Sequence, residues 1–186
     1  MKRIVFFAIG LFFLHLGRAY ALPDGFGSAQ KIEGKHFIIH YALDIYPSVL
    51  ARQLNLSAAD EILAGQSASE ESRLKAPLPA MVDTLFLRVC DILDMPLYSF
   101  KGDILVCRAQ KELNIIYYNL FGKELSAPSF YIFTENIIYI SRDSFSREIL
   151  GHEIAHAIIS HYFVVQPSIK IQEVLSMYVE YQLRKQ

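Results

Sequence analysis

Residues 36–41 (HFIIHY) alternate strictly: Phe37, Ile39 and Tyr41 fall on one side, and His36, Ile38 and His40 on the other. That period of two predicts a half-buried first strand. Helical spacing follows over residues 48–63, with a second start at Ser57. There Ser57-Ala58-Ala59-Asp60 has the spacing of a capping box with Asp in place of Glu. A polar, Pro-containing connection over residues 65–79 leads to a stripe of Val82, Leu85, Phe86, Val89, Ile92 and Leu93. The stripe predicts a helix from Ala80 that stops before Pro96. Ile104-Leu105-Val106-Cys107 suits a second strand, and residues 109–121 return to helical spacing, with Gly122 placed to end them. Residues 130–133 and 137–140 flank Thr134-Glu135-Asn136 as a hairpin. Asp143 and Ser144 are positioned to cap a helix over residues 145–161, and Pro167 separates it from a last helix over residues 169–184. This order predicts an α+β domain with a small mixed sheet, without internal repeats.

The N-terminus has a different pattern. Lys2 and Arg3 precede a 13-residue apolar run over residues 4–16, and Ala19-Tyr20-Ala21 follows. The run is short of the roughly 20 residues that span a bilayer, and the layout is that of a secretory signal peptide cut after Ala21. Residues 22–35, rich in Gly, Ser and charge, read as an extended leader, and residues 36–186 as one domain. The expected location is secreted or periplasmic, with no stable membrane span after cleavage. Loss of residues 1–21 removes three cations and takes the formal net charge from −1 to about −4. Such a chain lacks the basic footprint of a nucleic-acid partner. In an exported chain Cys90 and Cys107 leave two readings open: a disulfide worth about 3 kcal/mol in the chain-entropy model, or two buried thiols.

The chemistry concentrates at Leu150-Gly151-His152-Glu153-Ile154-Ala155-His156-Ala157, which contains His-Glu-x-x-His. Residues four apart share a helix face, so both imidazoles reach one zinc ion and Glu153 lies beside a metal-bound water. With 6 His in 186 residues and the Glu content of this chain, the motif arises by chance in roughly 1% of such sequences. His36 and His40, in contrast, read as polar residues of a strand face, with metal binding the lesser alternative. A catalytic zinc usually takes three protein ligands. Glu173 follows His156 after 16 intervening residues, enough to cross the Pro167 loop and return a carboxylate to the ion. Glu180 competes for the role, but seven residues along a helix is about 10.5 Å, so only one of the two can reach the metal.

His152, His156 and Glu173 together resemble the gluzincin clan of zinc metallopeptidases, which includes thermolysin-like and aminopeptidase-like enzymes. The stretch from Gln172 to Glu180 is similar to the Asn-Glu-Gly-x-Ala-x-Tyr-x-Glu helix of the aminopeptidase-like branch, with Gln172, Glu173, Tyr178 and Glu180 in register. The resemblance covers about residues 130–186. It implies a minimal zincin-like domain, one zinc held by His152, His156 and Glu173, and Glu153 as general base. It also implies a peptide or protein substrate that pairs with the strand near residues 130–133. Val174 and Ser176 stand where that branch has Gly and Ala. The chain ends 13 residues after Glu173, so the closing helical lobe of many members is expected to be missing and the groove to be shallow. Zinc itself could stabilise the oxyanion, with help from Tyr178, Tyr181, His161 or Tyr162, each of which reads equally as a core aromatic or loop residue. The main expectation is thus an exported zinc peptidase. A catalytically silent binding or assembly protein on the same fold and a cell-wall amide hydrolase are the alternatives.

Overall fold

β3 (Gly102–Cys107) lies at the centre of the molecule and explains its layering. Its Ile104 and Val106 face one hydrophobic cluster and its Leu105 and Cys107 the other, all four fully buried. A strand covered on both faces reads as a continuous apolar run rather than an alternation. The computed structural model describes residues 30–56 and 78–185. Among these, β1 (Gln30–Glu33), β2 (Phe37–Tyr41), β3, β4 (Ser129–Ile132) and β5 (Ile137–Ser141) form one sheet in the order β1-β2-β3-β5-β4. β2, β3 and β5 are parallel, and β1 and β4 pair antiparallel at the two edges. The helices are α1 (Pro47–Leu54), α2 (Leu78–Leu93), α3 (Gln110–Phe121), α4 (Arg147–Tyr162) and α5 (Ile169–Arg184). α3 covers the face with Leu105 and Cys107, while α1, α2, α4 and α5 build the larger core on the other. The fold is α+β with a mixed sheet, as the order of elements predicts.

Several expectations are corrected. Gln30–Glu33, read as leader, is a strand paired with β2 from Gln30 opposite Tyr41 to Glu33 opposite Ile38. Its exposed edge position needs no apolar alternation, so polar residues suffice there. His36 lies just before β2 rather than on its polar face. It is 1% exposed, stacked on Phe86 at 4.2 Å, with Nδ1 3.3 Å from the Phe100 carbonyl oxygen, and burial lowers its pKa. His40 Nε2 sits 2.6 Å from Asp103 Oδ1 on the neighbouring strand, so neither histidine joins a set of three metal donors among the described residues. The two cysteines are free and buried. Cys90 belongs to the core on one face of the sheet and Cys107 to the cluster on the other, which places the sheet between them. Helix α1 stops at Leu54 with Asn55 left-handed, φ 41°. The proposed second start at Ser57 and the segment 1–21 lie outside the described residues. Among the described residues no helix is long and apolar enough to cross a membrane.

α4 buries Leu150, Ile154, Ala155, Ala157, Ile158 and Ile159 in the larger core, while His152 and His156, four residues apart, stay partly exposed on one face. Asp143 and Ser144 do not cap it. They lie in a 3-10 turn at Arg142–Ser144, and Ser146 takes the cap by accepting a hydrogen bond from the Ile149 N–H at 3.3 Å. Gly151 is buried where α4 meets α5, and a Cβ placed on it would overlap Leu183 Cδ1 of the facing helix. Leu183 is itself fully buried and has little room to yield. Alanine normally gains about 1 kcal/mol over glycine inside a helix. Here Gly151→Ala should instead destabilise by about 1–3 kcal/mol through overpacking. Denaturant unfolding checks this, and a variant at least as stable as wild type would show that the close approach of α4 to α5 does not depend on Gly151.

Candidate metal centre

The close packing of α4 on α5 brings the motif residues together. The hairpin β4–β5 delivers the chain to α4, and the loop over residues 163–168 turns it back so that α5 runs beside α4. Gln166 ties that loop to the Ser160 carbonyl, and Gln172 Nε2 donates to the Pro167 carbonyl at 3.0 Å. As a result the Nε2 atoms of His152 and His156 lie 3.2 Å apart. Glu173 places Oε1 3.4 Å from His156 Nε2 and Oε2 3.6 Å from His152 Nε2. Two donors each about 2.0–2.1 Å from a tetrahedral zinc stand about 3.3 Å from one another. The three separations therefore suit a single small cation, and these residues are the set of three possible ligands found among the described residues. The histidines are not helix-surface groups, since their side chains are 20% and 14% exposed.

Glu180 occupies the other side of His152. Its Oε2 is 3.5 Å from Nδ1, a buried nitrogen without hydrogen-bond geometry to any partner among the described residues, and its Oε1 pairs with Arg184. The two carboxylates thus divide the imidazole between them, Glu173 on the Nε2 side and Glu180 on the Nδ1 side. Outer carboxylates of that kind fix the tautomer and orientation of a ligating histidine, and their removal typically weakens metal affinity by about 10–100-fold. Glu180→Ala should fall in that range, and Glu173→Ala should weaken binding further. Competition titration with a chelating dye checks this, and the reverse ranking would exchange the two roles.

Glu153 turns the other way, towards the edge strand. It is 6% exposed, and Ser129 Oγ donates a hydrogen bond to its Oε1 at 2.7 Å. Burial pushes its pKa up to about 7; the nearby Glu173 charge adds to the rise and the Ser129 hydroxyl opposes it. Burial and the neighbouring His152 lower the pKa of His156, against the attraction of Glu173 and a hydrogen bond that the ring donates to the Gln172 side chain. All four motif residues line one cleft of about 550 Å³, whose walls include Tyr117, Leu125, Phe130, Tyr131, Phe133 and Ile169.

The proposed oxyanion donors are not among the lining residues. Tyr162, Tyr178 and Tyr181 are each about half exposed elsewhere. His161 Nδ1 is 2.9 Å from the Ala157 carbonyl oxygen of its own helix. Tyr131, which does line the cleft, donates its hydroxyl to Asn136 Oδ1 at 2.9 Å. Ser129 was not singled out from the sequence. The signal available was a small aliphatic hydroxyl at the start of a strand otherwise made of Phe130, Tyr131 and Ile132, but its partner 24 residues away is a tertiary fact. Compared with protein-family models, curated proteins and solved structures, the chain shows no match. The functional reading accordingly rests on the residues and their geometry.

Proposed function

We propose that this chain is an exported zinc metallopeptidase of the gluzincin kind. The observation that carries the reading is the convergence of His152, His156 and Glu173 within 3.2–3.6 Å of one another, with Glu153 beside them in the same cleft. Zinc would be held by the two Nε2 atoms and the Glu173 carboxylate, one ion per chain. Bound there, it would polarise a carbonyl oxygen and lower the pKa of a water molecule to about 7.

The rest of the chemistry belongs to the chain. Glu153 takes up the proton of the attacking water on its carboxylate and returns it to the nitrogen of the leaving amine. In the metal-free chain burial raises the pKa of that carboxylate, and a group so raised is better able both to take up a proton and to give it back. Among the described residues β4 pairs with β5 on one side only, so within them its other edge, beside the cleft, carries unpaired backbone groups. An extended peptide can add there as a further strand. The apolar wall of Tyr117, Leu125, Phe130 and Phe133 favours substrates with large apolar side chains near the cut bond. Export rests on the pattern of residues 1–21.

A second reading, a binding or assembly protein that retains the site without turnover, draws on the outer face of α5. There Ile171, Val174, Met177, Tyr178 and Tyr181 are all about half exposed or more, an apolar surface larger than scattered single residues. The test is metal analysis and digestion of a peptide library by the wild type beside Glu153→Gln. Zinc with cleavage supports the peptidase; zinc with no cleavage of any peptide supports the binding protein; absence of zinc removes both.

A further inference from the structure

We propose that Ser129 is a positioning residue for the general base: its hydroxyl, carried on the edge strand, holds the Glu153 carboxylate in the orientation needed at the cleft. The inference rests on the peptidase reading above and adds to it a residue that the His-Glu-x-x-His motif does not contain.

Three observations carry it. The Ser129 Oγ to Glu153 Oε1 bond is 2.7 Å long and enclosed, with the two residues 4% and 6% exposed. Among the described residues no other side chain hydrogen-bonds that carboxylate. Ser129 is also fixed from behind: it pairs with Ile140 in the β4–β5 ladder, and the Ser141 N–H donates to the adjacent Pro128 carbonyl at 3.2 Å. The base and the strand that would receive the substrate therefore share one rigid frame.

The physical need is specific. The terminal torsion of a glutamate side chain is broad, so its two oxygens turn easily unless something holds them. A serine hydroxyl has a single proton to donate, and here it is engaged by Oε1, leaving Oε2 free of it. A general base must lie within hydrogen-bond reach of the proton it removes, and a misplacement of about 1 Å can lower turnover by about 10²-fold. Ser129 removes that freedom without touching the metal ligands.

The test uses Ser129→Ala, Ser129→Thr and a double-mutant cycle of Ser129→Ala with Glu153→Ala, all on the full chain as purified. Ser129→Ala is expected to keep its zinc and to lower kcat by about 10–100-fold, while KM stays within about twofold of wild type. Ser129→Thr, which keeps the hydroxyl on a strand-compatible side chain, should recover most of the loss. The cycle, read from unfolding and not from activity, should give a coupling of about tenfold in the folding constant. An unchanged kcat, a loss accompanied by loss of zinc, or additivity in the cycle would each overturn the proposal. A wild type that binds zinc but cleaves nothing would bring down the peptidase reading and the positioning role with it. The cycle separates that case, because it still reports the bond itself.

Discussion

Purified wild-type chain should carry about one zinc per molecule, and His156→Ala should carry none after dialysis against metal-free buffer. His156 Nε2 lies 3.2 Å from His152 Nε2 and 3.4 Å from Glu173 Oε1, and His156 is one of the three residues that could hold the ion. Its removal leaves one imidazole and one carboxylate, below the three protein ligands that a catalytic zinc usually keeps. Among the described residues no other group completes the set, and Glu180 faces His152 Nδ1 from the far side of the ring. The loss has a second readout. A ligand that binds only the folded state stabilises it by about 4 kcal/mol at a thousandfold excess over its dissociation constant. A chelator should therefore lower the thermal midpoint of wild type and leave that of His156→Ala unchanged. Stoichiometric zinc in the variant would remove the site, and a wild type indifferent to both zinc and chelator would do the same.

How much of this centre was legible in the sequence follows from the range of each interaction. His152 and His156 share a helix face by the arithmetic of 3.6 residues per turn, so their pairing needed only the assumption of a helix. Glu173 required a reversal of the chain, and the Pro167 loop before a second helical stripe announced it. The two carboxylates of α5 could not be told apart by spacing alone. Their separation comes from the two faces of one imidazole, which only the packing of α4 on α5 reveals. Ser129 was further out of reach, since nothing local in residues 129–132 refers to Glu153.

The same distinction holds for the fold. β2 and β3 were legible, one from alternation and the other from a doubly buried run. β1 was not, because an edge strand carrying Gln30, Lys31 and Glu33 has no apolar period to detect. Parity alone puts His36 on a polar face, but the strand begins one residue later and the imidazole turns into the core against Phe86. The cap of α4 moved from Asp143 and Ser144 to Ser146 for a related reason: several residues in a row were capable caps, and the 3-10 turn after β5 decided which of them met a free N–H.

Glu153→Gln should keep zinc at wild-type stoichiometry and lower the hydrolytic rate by about 10²–10⁴-fold, the usual contribution of a positioned acid–base group. The amide retains the shape of the carboxylate, and its oxygen can still accept from Ser129, so packing in the 6% exposed site is preserved. What disappears is the ability to hold a proton between attack and departure. The substitution also removes a buried charge, and an isolated buried carboxylate is costly. In the metal-free protein Glu153→Gln should therefore be at least as stable as wild type. Rate lost with stability kept is the signature of a group retained for chemistry and not for the fold. Near wild-type turnover in Glu153→Gln would take Glu153 out of its role. If neither protein cleaves any peptide and both hold zinc, the buried Glu153 charge has no catalytic justification, and the centre is better read as part of a binding surface continuous with the apolar face of α5.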